Sequence, residues 1–293
     1  MGVNRNHKDR LFKLLFGSDA RKDWTLSLYN AVNGTSYENE EDILLTTIED
    51  AVYMGMKNDV SFIIGEMMNM YEQNSTVCPN MPMRFLIYAG MLFAKYVQDV
   101  RNRINLYSSR QQKFPIPKLV CFYNGIAEEP DRKILELKDA FDGEADADIT
   151  VKVTMLNINS GKNRELMEAC QTLREYAWFI QRIRDNKADG NSIEDAVDKA
   201  LDSMPENFQI KPLLDANRAE VRQMCITEYD EAWTMEMFRE EGRAEGKAEG
   251  KAEERQNTER ERKNAERERQ RADAAEAEVQ KLRRELEELK TKK

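Results

Sequence analysis

Between Arg239 and Glu278 the chain contains no large apolar side chain. Glu, Arg, Lys, Ala, Gln and Gly make up almost all of that stretch. A segment so composed cannot bury enough apolar surface to offset the entropy of ordering it, so it forms no core of its own. Whatever folds must precede it. The sequence therefore predicts a globular α/β domain over residues 1–235, with helices in its C-terminal part, and a charged helical or coiled-coil tail over 236–293.

The tail has two textures. "EEGRAEGKAEGKAEE" repeats every four residues and places Gly242, Gly246 and Gly250 on one drifting stripe. Each glycine costs a helix about 1 kcal/mol relative to alanine. Farther on, Ala265, Ala272, Val279 and Leu286 share one heptad position, and Ala275, Leu282 and Leu289 share another, with Glu268 interrupting the second series. That pattern is short of the sustained heptads a coiled coil requires. It leaves two readings open: a solvated charged helix, or a self-association helix that makes the chain a homodimer.

Charge separates body from tail. The chain has 45 Lys+Arg and 54 Asp+Glu, a net charge of −9. Residues 239–293 hold 17 of the basic and 16 of the acidic side chains, so the body keeps 28 and 38 and is acidic by 10. An acidic body lacks the broad basic footprint of a tight nucleic-acid binder. Any contact with nucleic acid has to be local, brief or metal-mediated.

Several chemistries are excluded. Cys78, Cys121, Cys170 and Cys225 form no C-x-x-C pair or zinc spacing and sit among apolar neighbours, as small buried thiols do. His7 is the only histidine, which removes Ser-His-Asp and Cys-His triads unless it supplies the base. Neither G-x-x-x-x-G-K-[ST] nor G-x-G-x-x-G occurs. The N-terminus lacks the apolar run of a secretion signal, and no stretch reaches the roughly 18 apolar residues of a membrane helix. The expectation is a soluble, cytoplasmic chain with no membrane partner.

Periodicity orders the body. "LFKLLF" and "ARKDWTLSLYNAVN" read as helices ended by Gly17 and Gly34. "TTIEDAVYMGMKNDVSFIIG" reads as two strands with a break near 55–58, and "MMNMYEQN" as a third. "MRFLIYAGMLFAKYVQDVRNRI" is a strong helix, "KLVCFYNG" a buried strand and "ITVKVTMLNI" another. "NRELMEACQTLREYAWFIQRIRD" reads as one long amphipathic helix, with two more before the tail.

Within this pattern two carboxylates stand out. With Gly65-Glu66 as a two-residue type II′ turn, Ile64 faces Met67, and five residues farther along each arm Asp59 faces Glu72. Asn74 lies on the same face as Glu72, and Lys57 lies opposite Asn74. Directly opposed like charges are destabilising. A divalent cation offsets that, since Mg²⁺ is commonly held by one or two carboxylates and several waters. The alternative is that Asp59 merely opens the strand and Glu72 faces solvent.

The strings "YMGMKNDVSFIIG", "MNMYEQNST", "NMPMR", "LYSS", "FYNG" and "ELMEACQTLREYA" resemble the Rpn family of recombination-promoting nucleases, also labelled transposases, within the PD-(D/E)XK nuclease superfamily. "KDRLFKLLF" near the start and "NRAEV", "EYDE" and the "EEG" repeats extend the likeness over nearly the whole chain. The resemblance implies a core of helix, three-stranded meander, helix and strand. It implies a Mg²⁺-dependent (or Mn²⁺-dependent) DNA endonuclease whose metal ligands match Asp59 and Glu72. Asn74 stands where the family pattern has Gln or Lys. Asp9 is a further acidic candidate, and Lys57 a candidate phosphate-facing cation. The rival expectation is a catalytically degenerate nuclease fold that serves as a binding or assembly module through its charged tail.

Overall fold

In a computed structural model of the chain, residues 11–46, 59–143, 146–229 and Thr258 are described. The chain divides into two units, Met1–Trp233 and Thr234–Lys293. His7, Asp9, Lys57, the strand predicted over 47–54 and, Thr258 apart, the tail with its heptads lie outside the described residues.

Apolar alternation and one glycine build the centre of the body. Strand β1 is Leu44–Leu45, β2 is Val60–Ile64 and β3 is Met67–Asn74. The β2–β3 hairpin has the predicted register, Ile64 opposite Met67 and Val60 opposite Tyr71. Gly65 has φ +56, and Glu66 is not among the positive-φ residues, the sign pattern of a type II′ turn.

Helix α3, Met81–Gln98, then crosses one face of the sheet and delivers β4, Ile116–Tyr123, parallel to β3. Strand β5 is Arg132–Glu136, and β6, Lys152–Asn157, pairs parallel with β4 and antiparallel with β5. The result is a six-stranded mixed sheet of order β1-β2-β3-β4-β6-β5 in an α/β body. Edge strand β5 has only Ile134 and Leu135 as apolar residues, too few for alternation to mark it in a charged stretch.

Helices cover both faces. Below lie α1, Leu11–Phe16, and α2, Lys22–Asn33, which ends on Gly34 at φ +65. With them pack α4, Arg164–Ala169, α5, Gln171–Ala188, α6, Ile193–Asp202, α7, Lys211–Ala216, and a helical stretch over 218–229. Phe62, Tyr71, Phe122, Phe12 and Tyr176 form a chain of ring contacts at 5.3 to 5.7 Å through this core. Above, Met68, Met70, Cys121 and Met155 pack on Phe85, Tyr88 and Leu92 of α3. Among the described residues no helix is long and apolar enough to cross a membrane.

Two helix expectations need correction. The long helix over 163–185 is broken at Cys170, whose φ of −125° and ψ of 97° are extended and whose fully buried thiol lies 3.7 Å from the Ser27 hydroxyl. No Gly or Pro marks the break, so periodicity runs through it. Three helical stretches, not two, follow α5 before residue 230.

The ends of β3 and β4 are held together by a close approach. Asn124 N–H donates to the Asn74 carbonyl at 3.1 Å, and a Cβ on Gly125 would collide with the Ser75 carbonyl oxygen. In α3, by contrast, a Cβ on Gly90 meets nothing within 4 Å. Denaturant melts should therefore move in opposite directions. Gly125→Ala is expected to lose about 1–3 kcal/mol by overpacking, while Gly90→Ala gains up to about 1 kcal/mol of helix propensity.

Candidate active site

The site sits where β2 begins and β3 ends. One residue beyond the Val60–Tyr71 pair, the register sets Asp59 across from Glu72. Both carboxylates are buried, Asp59 at 5% exposure and Glu72 at 0%. Glu72, Asn74 and Cys121 share the sheet face that α3 covers, because side chains alternate along a strand and Glu72 is in register with Cys121.

Asp59 has a structural duty. Its Oδ2 accepts the Gln73 backbone N–H at 2.7 Å, which continues the β2–β3 ladder by one side-chain rung past the end of β2. An isosteric asparagine would retain that acceptor while losing the charge.

Glu72 is met by a cation that the sequence reading did not single out. Arg84, in the first turn of α3, donates from Nη2 to Glu72 Oε1 in an ion pair, and also to the Tyr88 hydroxyl at 3.3 Å. Its Nε is buried and has no hydrogen-bond partner among the described residues. Burial works against the Arg84 charge, but Glu72 and Tyr88 more than offset it and hold the guanidinium above its ordinary pKa. Burial, reinforced by Glu72, raises the Tyr88 phenol and the Cys121 thiol, so neither supplies an anion here at neutral pH.

The third strand position, Asn74, is buried and its side-chain amide makes no hydrogen bond among the described residues. Gln73 points to the other face, as alternation requires. Its Nε2 donates to Asn124 Oδ1 at 2.6 Å, and Asn124 Nδ2 donates to the Tyr176 hydroxyl at 3.4 Å. Arg184 donates to the Asn124 carbonyl and, at 3.1 Å, to Asn159 Oδ1. These amides fasten the strand ends from below. Burial, then Glu228 and Asp59, pushes the Tyr176 phenol far up, so it remains a neutral donor and acceptor.

The donor set bears on the expected metal. Among the described residues no group of three or more His, Cys, Asp or Glu side chains is arranged to hold an ion. Two carboxylates and an amide oxygen still fit a hard cation that keeps most of its shell as water or phosphate. Arg84 competes for Glu72. Asp9 and Lys57 lie outside the described residues.

Sequence reasoning brought Asp59, Glu72 and Asn74 to one strand end and missed Arg84 and Arg184; by sequence Asn124 reads only as a strand-ending turn residue and Tyr176 as a packing or solvent-facing residue of a helix. The available signals were a lone cation in the apolar first turn "MPMR" and the strand-ending "YNG". In comparisons with known proteins, no family model, no curated protein and no solved structure matches the chain.

The Glu72–Arg84 pair makes a measurable claim. Arg84→Met leaves a buried carboxylate without its cation and is expected to cost about 3–5 kcal/mol. In the double variant Glu72→Gln with Arg84→Met, the loss should fall short of the sum of the single losses by about 0.5–3 kcal/mol. Urea melts of the four proteins measure the coupling.

Proposed function

We propose that the chain is a metal-dependent DNA endonuclease of the PD-(D/E)XK type, of the recombination-promoting kind that its sequence resembles. The observation that carries this reading is the hairpin register that opposes Asp59 and Glu72 at a buried strand end, with Asn74 on the same face as Glu72. The element order supports it: helix, three antiparallel strands, helix, and a strand parallel to the third.

In this reading Asp59 and Glu72 hold a Mg²⁺ or Mn²⁺ ion. When bound, that ion lowers the pKa of a water and neutralises charge on a phosphodiester. Arg84 pairs with Glu72 and orients its carboxylate. The Asn74 amide positions water or phosphate in place of the Gln or Lys of the family pattern. The ring-lined core beneath β3 keeps both strand ends rigid, which lets two carboxylates stay at fixed separation.

One observation favours a second reading, a degenerate nuclease fold kept for binding or assembly. Glu72 is fully buried and already balanced by Arg84, as a structural ion pair would be. Plasmid nicking in Mg²⁺ or Mn²⁺ separates the two. The endonuclease reading expects nicking by the wild type and none above background by Asp59→Asn or Glu72→Gln. Asp59→Asn should keep the hairpin rung, because its amide oxygen still accepts the Gln73 N–H. Equal nicking by all three proteins, or none by any, overturns the enzyme reading.

A further inference from the structure

Helix α3 carries Arg84 at one end and, at the other, a loop whose charge is opposite to that of the body. Residues 101–118 contain five basic side chains and no acidic one. Arg101 is paired with Asp99, while Arg103, Arg110, Lys113 and Lys118 are exposed and have no carboxylate partner among the described residues. On a body acidic by 10, so local an excess makes a distinct positive field.

A solvated charge run would end the matter if the loop were merely polar. It is instead fastened down around an exposed apolar tip. Phe114 packs on Phe93 and Tyr96 at ring distances of 6.1 and 6.4 Å, and Asn102 Nδ2 donates to the Tyr96 carbonyl at 2.8 Å. Asn105 closes the tip: its Oδ1 accepts the Tyr107 N–H at 3.0 Å and its carbonyl accepts the Ser108 N–H at 3.1 Å. Gln112 Oε1 accepts the Asn105 N–H at 3.3 Å, tying the two arms. On this internally bonded loop Leu106 is 62% exposed and Tyr107 100% exposed. An aromatic side chain held out in water by the bonded backbone of its loop, among cations without carboxylate partners, is the arrangement of a stacking platform beside a phosphate track.

We propose that residues 101–118 bind single-stranded nucleic acid, with Tyr107 stacking on an unpaired base and Arg103, Arg110 and Lys113 meeting backbone phosphates. The choice of DNA over other polyanions rests on the endonuclease reading. An 18-residue α3 spans about 27 Å, the reach of roughly eight nucleotides at 3.4 Å each, so one strand can touch both ends of the helix. The substrate class this implies is DNA with unpaired bases near the cut.

The test is fluorescence anisotropy of a labelled dT20 oligonucleotide with the full chain in EDTA, where binding is read without cleavage. The charge variant is Arg103→Asn with Arg110→Gln and Lys113→Gln. Asn is chosen because Arg103 sits at φ 53, a conformation Asn tolerates. Its log–log salt slope should fall by about 2, three lost contacts at roughly 0.7 each. Tyr107→Ser should weaken binding about tenfold with the slope unchanged, and Tyr107→Trp should restore it. Absence of dT20 binding by the wild type, or wild-type binding by both the charge variant and Tyr107→Ser, overturns the proposal. So does Tyr107-dependent binding to phosphatidylserine vesicles that exceeds binding to dT20. Loss of nicking specificity for Asp59 and Glu72 would sink the endonuclease reading and leave this binding surface standing.

Discussion

Strand β3 has an antiparallel neighbour on one edge and a parallel one on the other, and every residue from Met68 to Asn74 is buried. A strand enclosed in this way has no solvated side on which to put polar groups. Its last three residues are nevertheless Glu72, Gln73 and Asn74. Each polar group placed there needs a partner from another element, because leaving it unpaired costs more than a hydrogen bond returns. Arg84 on α3 meets Glu72, Asn124 after β4 meets the Gln73 side chain and Asp59 before β2 takes the Gln73 backbone N–H, while the Asn74 amide makes no hydrogen bond among the described residues. The packing of α3 and the exit of β4 are thus tied to the polar end of one strand.

The same enclosure gives the site its chemical ambiguity. A carboxylate paired with arginine is structurally settled, yet the same pair also fixes its orientation, as a metal ligand requires. Asp59 combines the two roles differently, since its hydrogen bond to the Gln73 N–H uses geometry that an amide would also supply. Charge and shape can therefore be separated at Asp59 and are fused at Glu72. At the far end of α3 the basic loop faces the opposite condition, with its cations and Tyr107 in water. One helix joins a dry, balanced polar cluster to a wet, unbalanced one.

The hairpin was legible because its signals are local. Alternation in "VSFII" and "MMNMYEQN", with a glycine able to take positive φ at the turn, specifies register, and a slip of one residue would turn every buried side chain to the wrong face. That register alone brought Asp59 opposite Glu72. Strand β5 was not legible, since an exposed edge strand has little apolar pattern to display. The break at Cys170 was hidden for the converse reason: the apolar pattern continues through a bend that no Gly or Pro announces.

By itself the sequence determined the α/β class, the β2–β3 register and the alternation that separates Gln73 from Glu72 and Asn74. These depend on composition, on periods of 2 and 3.6 residues and on turn chemistry, all of which act within a few residues along the chain. Only the tertiary structure decided that Arg84 meets Glu72, that Asn124 and Gly125 close on β3, and that Arg103, Arg110, Lys113 and Lys118 lack carboxylate partners among the described residues. Those facts follow from the crossover of α3 and the parallel pairing of β4, which join residues distant in sequence. Side chains facing each other across such a crossover leave no period in the sequence from which the contact could be read.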